Sequence, residues 1–213
     1  MKYLIVFLLG CSAIFAQNNV QLQDGDLILQ DMDCGPLCDA IEAVTEGYKG
    51  NDFSHMGMVY HRNDTIFIIE AAGTAVHLST LEKFSKNTKK SMYVGRLKKQ
   101  YRKLISPAIN FSLKQMGVRY DTEYVYNNGS YYCSELIYDA FKEANNGKPF
   151  FQLFPMTYKQ PGTNEYFPAW IDYYNQIGKS IPEGQPGCNP GGISTSDKIE
   201  ITSLIPKGGI SSN

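Results

Sequence analysis

The chain is short of histidine, modest in cysteine and almost without net charge, and each shortage closes off a class of function. Its 213 residues carry a formal net charge of -1. A nucleic-acid binder needs a concentrated basic face, which so balanced a chain does not supply. The densest basic stretches, Lys86 to Lys90 and Arg96 to Lys103, lack an aromatic platform or a glycine-rich cradle and read as solvated faces. With only three histidines, a zinc centre is short of ligands. Five cysteines in a chain this long do not make a dense disulfide scaffold. The apolar stretch Tyr3 to Leu9 is too short to span a bilayer as a helix. There is no internal repeat and no low-complexity tract.

What is present suits one packed domain. Hydrophobic residues make up 43% and charged residues 19%, which supports a core and argues against global disorder. Fifteen tyrosines supply apolar area together with hydroxyls, a combination suited to a deep cleft with polar demands. Residues 1–16 read as a secretory signal, with Lys2 as the charged start and Ala16 as the small residue before the cut. That leaves 17–213 as a single exported domain, periplasmic or secreted. Leu8-Leu9-Gly10-Cys11 offers a competing cut, which would anchor the chain to a membrane as a lipoprotein through Cys11. Cys34 and Cys38, in DCGPLC, have three residues between them rather than the two of a redox motif. They are expected to be small residues packing at a helix start, ahead of a local disulfide or half a metal site.

Periodicity places the elements. Asp24-Gly25-Asp26 is a turn before a buried strand, Leu27 to Gln30. Gly35-Pro36 opens a helix through Leu37, Ile41, Val44 and Tyr48, closed by Gly47 and Gly50. Ser54 to Tyr60 and Thr65 to Ala71 bracket the polar turn Arg62-Asn63-Asp64, a hairpin signal. Val76 to Leu78 is a short strand, Thr80 caps a helix over Leu81 to Phe84, and Met92 to Leu97 is another strand. Ser106-Pro107 starts a helix to about Met116. The loop Asn127 to Ser130 delivers Cys133 to the start of a helix whose apolar face is Leu136, Ile137, Ala140 and Phe141. The tail from Pro182 wraps the domain and ends in a strand, Lys198 to Leu204.

Chemistry concentrates on Cys133. At a helix N-terminus the dipole and free N–H groups favour a thiolate, and the Cys133 N–H can serve an oxyanion hole. His55 starts a strand, where a rigid element can aim its ring, and a Cys–His pair lets imidazole take the thiol proton and later protonate the leaving group. Ile66, Ile68 and Glu70 share one strand face, and a carboxylate ending an apolar strand is costly unless paired. In-register hairpin pairing sets Glu70 beside His55, where it can orient the imidazole. His61 is expected in the turn and exposed. His77 is a weaker candidate for lining a cleft, and Glu135 is expected to interact with the helix dipole.

FSHMGMVY, FIIEA, GVRYD and YYCSELIYDAF, in that order, resemble the YiiX/YaeF-like permuted papain-like amidases, relatives of the NlpC-type cell-wall peptidases. LQDGDLILQ and IPEGQPGCNPGGIS extend the resemblance from about Leu22 to Ile201. It implies an α+β, circularly permuted papain-like (NlpC-like) fold, with a small antiparallel sheet or half-barrel packed against helices. His55 and Glu70 precede Cys133, as permutation of that fold requires. The resemblance implies Cys133 as nucleophile, His55 as base, Glu70 as third residue and Tyr120 in the substrate cleft, with Asp26 structural. Tyr132, beside Cys133, and Arg119, as a carboxylate binder, complete the candidate substrate-binding set.

The expected reaction is amide hydrolysis through an acyl thioester, needing neither metal nor organic cofactor. Substrates in view are a cell-wall peptide such as a peptidoglycan fragment, an N-acyl amino acid or a lipid-like acyl compound. A cleft lined by Phe111, Phe141, Phe150, Phe151 and Phe154 favours the lipid-directed acyltransferase or esterase. A polar cleft with Arg119 favours peptide. A non-catalytic binding module on the same scaffold is the third possibility.

Overall fold

The computed structural model describes residues 20–32 and 34–204. The expected leader at 1–16, with its competing cuts before Gln17 and Cys11, lies outside the described residues. Strand β1 (Leu27–Gln30) follows the Asp24-Gly25 turn and is buried at all four positions. It is central because two strands pair with it, β2 (His55–Arg62) on one side and β5 (Tyr93–Leu97) on the other. Strands β2, β3 (Thr65–Ala72) and β4 (Ala75–Thr80) form an antiparallel meander, turned at Asn63, whose φ is +50°. Strand β8 (Ile199–Ser203) adds to β5, giving the six-stranded antiparallel order β4-β3-β2-β1-β5-β8.

Alternation along the strands gives the sheet two apolar faces. Leu27, Leu29, Met56, Met58, Ile69 and Ala71 face one core, covered by helices α3 (Ile105–Lys114) and α4 (Cys133–Ala144). Ile28, Val59, Ile68 and Val94 face the other, closed by Phe84 of α2 (Leu81–Ser85). Thr80 caps α2 as its position suggests, its hydroxyl accepting from the Lys83 N–H. Asp26 is structural: its buried carboxylate accepts two hydrogen bonds from Arg96, tying the first turn to β5. Arg96 is therefore not part of a merely solvated face.

Three local expectations change. Helix α1 (Pro36–Ala43) stops before Val44, and Tyr48–Gly50 is a separate 3-10 turn. A Cβ at Gly47 would strike the Asn51 carbonyl, so the chain turns there. Cys34 and Cys38 form a disulfide rather than merely packing. Gly35, at φ +81°, folds Cys34 back over the first turn of α1 and brings the Cα atoms to 5.5 Å, within bridging range. The short strands β6 (Phe154–Pro155) and β7 (Pro186–Gly187) pair with each other, with a helix between them in sequence, and the tail from Pro182 adds a short helix before it ends in β8. Helix α5 (Pro168–Ile177) has Pro at its first position and Gly178 as a left-handed cap. Helix α6 (Pro190–Ser194) is capped by Asn189, whose side chain accepts from Gly192 N–H. Trp170 and Tyr174 of α5 pack with Tyr158 and Ala40 of α1 in a third apolar cluster.

Candidate active site

His55 is the first residue of β2, directly opposite Gln30, the last of β1. The β2–β3 pairing runs from Arg62↔Thr65 to Met58↔Ile69, so Gly57 and Glu70 come next towards this end of the sheet. His55 lies two residues beyond Gly57, a diagonal neighbour within reach of a glutamate side chain. The expected contact forms: His55 Nε2 is 2.7 Å from Glu70 Oε2, both residues being buried. Gly57 makes room for the arrangement. A Cβ there would lie 3.3 Å from Phe84 Cε2, on the ring whose centroid sits 5.5 Å from the imidazole, and would press harder still on Ile68.

Glu70 has further partners. Its pair across β3–β4 is His77, whose Nε2 lies 3.4 Å from Glu70 Oε1 and 3.1 Å from Ser79 Oγ. His77 Nδ1 is 2.9 Å from the Ala75 carbonyl oxygen. Burial alone would push the Glu70 carboxyl up, but the hydrogen bond and charge of His55, with help from Ser79, hold it below the usual carboxylate range. Burial likewise opposes charge on His55. The neighbouring Cys133 and Glu70 outweigh it and raise the imidazole to about 9. Because Nε2 is taken by Glu70, Nδ1 is the nitrogen left free for the thiol.

Cys133 is the first residue of α4, after Tyr132 as the N-cap, with no side chain capping the turn. The helix dipole and its unspent N–H groups therefore point at the sulfur. Ties to three parts of the chain, Cys188, Asn127 and a strap, fix this helix start. Tyr132 Oη accepts from Cys188 N–H at 3.2 Å, and Ser134 Oγ donates to the Cys188 carbonyl at 3.0 Å. Glu135 Oε1 accepts from Asn127 N–H at 2.7 Å. The third tie is a strap, residues 117–121. It covers the open edge of β4 through Val76 N–H to Val118 O and Tyr120 N–H to Thr74 O, then pairs with Tyr131 through Asp121 N–H. The strap thus links the strand carrying His77 to the residues just before Cys133.

Cys133, His55, Tyr120 and Tyr132 line one cavity of about 190 Å³. Glu70 stands behind His55, outside that lining. Arg119 does not join them. Its backbone bridges to Ala75 and its side chain is exposed, because alternation along the strap turns Tyr120 inward and Arg119 out. None of the five phenylalanines considered for the cleft lines it. Phe141, Phe150 and Phe151 pack on one another in the first core. His61 is exposed, at the end of β2 beside Asp24. Sequence reasoning undervalued His77, whose alternation with Ser79 on β4 was its signal, and missed Cys188. Glu135 is fully buried rather than a surface charge on the helix dipole, and nothing in its local sequence signals that burial.

The carboxylates of Asp31, Glu42 and Asp52 come within 4.8 Å of one another, the group of possible metal ligands found among the described residues. Lys90 Nζ already pairs with Asp31 there. Burial raises Glu42 to about 7 against a hydrogen bond from Ser54, with Asp31 and Asp52 adding to the rise.

A thiol at a helix start facing a buried imidazole, on an antiparallel sheet covered by that helix, is the arrangement of the papain-like cysteine hydrolases. Residues 21–201 match the family described as permuted papain-like amidase enzyme, YaeF/YiiX, C92 family, and the chain belongs to that family. Over 149 residues it is 29% identical to the uncharacterized protein YiiX of Escherichia coli (strain K12), covering 67% of each chain. A crystal structure described as metalloprotein yiiX from Escherichia coli O157:H7, DUF1105, shares the fold, with a TM-score of 0.68, 21% identity, and coverage of 86% of this chain and 97% of that one.

Proposed function

We propose that the chain is a cysteine amidase in which Cys133 is the nucleophile, His55 the general base and acid, and Glu70 the residue that orients His55. The observation that carries this reading is His55 itself: a buried imidazole with one nitrogen on a buried carboxylate and the other towards a cysteine at a helix N-terminus. His55 Nδ1 takes the thiol proton, and the Cys133 sulfur attacks the amide carbonyl carbon. The carbonyl oxygen gains charge against the Cys133 N–H. The C–N bond breaks as the imidazolium hands its proton to the amine nitrogen, leaving an acyl thioester. His55 then takes a proton from water, the oxygen attacks the thioester, the C–S bond breaks and the sulfur recovers its proton. Glu70 stabilises the imidazolium through both steps.

Export belongs to the same reading, supported by the leader-like residues 1–16 and by the Cys34–Cys38 disulfide, which suits an oxidising compartment. No step runs through a metal in this scheme. The described carboxylate cluster already holds the Lys90 ammonium as its counter-charge, which fits an ion pair better than a cation site.

Alkylation by an iodoacetamide probe at mildly acidic pH tests the pairing. Rapid labelling is expected in the parent, its loss in Cys133→Ala and marked slowing in His55→Ala. Labelling that persists unchanged in Cys133→Ala would sink the nucleophile assignment.

A further inference from the structure

The near-zero net charge conceals a segregation. Between Glu82 and Asp121 the chain has eleven Lys and Arg residues and no Asp or Glu, while the other nine basic residues share the rest of the chain with all 21 acidic ones. Three of the eleven are matched by carboxylates outside that stretch: Lys86 by Glu82, Lys90 by Asp31 and Arg96 by Asp26. Four others fall together at the end of β5. Lys98 is followed by a 3-10 turn, Lys99–Leu104, whose side chains repeat direction every three residues. Tyr101 and Leu104 turn inward, Tyr101 meeting Phe150 with 5.2 Å between ring centroids. Lys99, Arg102 and Lys103 are exposed. None of the four cations has a carboxylate within ion-pair distance among the described residues. The acids on the neighbouring strand segment are Asp197, beside Lys198, and Glu200, opposite Arg96. A face that only keeps a protein soluble mixes both signs, and this turn carries one.

The turn stands at the end of the sheet away from the cleft. Leu27, at one end of β1, pairs with Gly95, and Gln30, at the other end, pairs with His55. Lys98 and His55 are thus separated by roughly 20 Å along the strands. The chain also enters the domain at the basic end. The Arg96 guanidinium donates to the Gln21 carbonyl at 2.8 Å. Gly25 packs on Ile105, just after the basic turn, so closely that a Cβ there would lie 2.5 Å from Ile105 Cγ2. The expected leader, or a lipidated Cys11, therefore joins the domain on the side of the four cations.

We propose that Lys98, Lys99, Arg102 and Lys103 dock the protein on an anionic phospholipid surface, with its cleft turned away from the bilayer. Each cation within a Debye length of such a surface adds its attraction, and four acting together hold what one alone does not. The turn offers charge without a stacking platform, which suits a field of headgroups better than nucleic-acid bases. The docking goes beyond the amidase reading, and only the direction of the cleft rests on it.

The full chain carrying Cys11→Ser, so that no lipid is attached there, is sedimented with vesicles of phosphatidylcholine alone and of equal parts phosphatidylcholine and phosphatidylglycerol. Retention is expected on the second only, and is expected to be lost in about 0.5 M sodium chloride. Lys99→Gln with Lys103→Gln is expected to weaken retention about tenfold. Lys99→Glu, Arg102→Glu and Lys103→Glu together are expected to abolish it, with a thermal melt as the folding control. Equal capture by both vesicles, retention unchanged in the folded variants, or equally tight binding to a short DNA duplex overturns the surface.

Iodoacetamide labelling of Cys133 on the vesicles tests the direction. Labelling at the rate of the free protein is expected. Labelling that slows on binding turns the cleft to the bilayer and overturns the orientation. If Cys133 labels in neither state while retention still follows the cations, the amidase reading falls and the surface stands.

Discussion

Glu70 and Glu135 are both buried carboxylates close to Cys133, and they are driven in opposite directions. Glu70 sits at the end of β3 with His55, His77 and Ser79 around it, and it is held low. Glu135 sits in the first turn of α4 with one firm donor, Asn127 N–H, while its Oε2 has no partner among the described residues. Burial, with Asp121 and Asp139 nearby, raises it to about 8 despite the help of Asn127 and Tyr132 N–H groups. Equal burial therefore does not decide charge; the partners do. The first carboxylate is built to face a cation, whereas the second is a protonated acid at neutral pH that anchors a loop.

The sharpest way to break the contrast is to neutralise the charged member. Glu70→Gln keeps the shape and removes the charge, and kcat/KM is expected to fall roughly a hundred- to ten-thousand-fold, read on any amide the parent cleaves. The alkaline limb of the pH–rate profile gives the sign. In the parent, activity is expected to fall as the imidazolium loses its proton near 9. Without Glu70 the imidazolium is less favoured, so that limb moves to lower pH.

Removing the cation instead tests stability. His55→Ala leaves Glu70 buried without its main partner and is expected to cost roughly 3–5 kcal/mol in urea unfolding near pH 6. The penalty has a window. The raised His55 value makes its contribution full below its ordinary 6.5 and lost as pH rises through about 9. The lowered Glu70 value makes its contribution present above its ordinary 4.5 and lost as pH falls through its folded value.

Glu135→Gln is the mild counterpart, with an expected change within about 1 kcal/mol below pH 4.5, where the side chain is neutral in the folded and the unfolded chain alike. Its raised value means stability that is full below 4.5 and fades as pH rises through about 8. The glutamine variant is expected to lack that fade and to gain on the parent between pH 4.5 and about 8. The same substitution at the two sites thus gives a large loss at one and, at the other, a gain as pH rises from 4.5 to about 8.

The contrast also marks what a reader of the sequence can see. Glu70 was legible because a hairpin is local: two apolar runs and an Asn63 turn fix the register, and the register fixes the neighbour of His55. Strand β1, the Thr80 cap and the start of α4 were legible for the same reason, each written in adjacent residues. Glu135 was not, because its burial depends on Asn127, Asp121 and the packing of α4, none of which leaves a periodic trace. Helix α5 carried its signals, Pro168 and Gly178, yet the sequence reading assigned no element there. The cavity was the least legible part. Phe141, Phe150 and Phe151, weighed as the lining that a lipid substrate would favour, fill the core instead, and the cavity walls come from α1, the strap and α5, far apart in the chain.

The strap at 117–121 carries a consequence for how the molecule comes to be. His55, Glu70 and His77 lie on one meander with short turns, so their contacts are local and close little chain entropy. Cys133 reaches them only after a long intervening segment has closed, and the strap is the seam where that closure is sewn to the edge of β4. A chain in which the meander has formed before the strap therefore brings His55 and Glu70 together while Cys133 is still elsewhere, and the sulfur meets the imidazole only once the strap has closed.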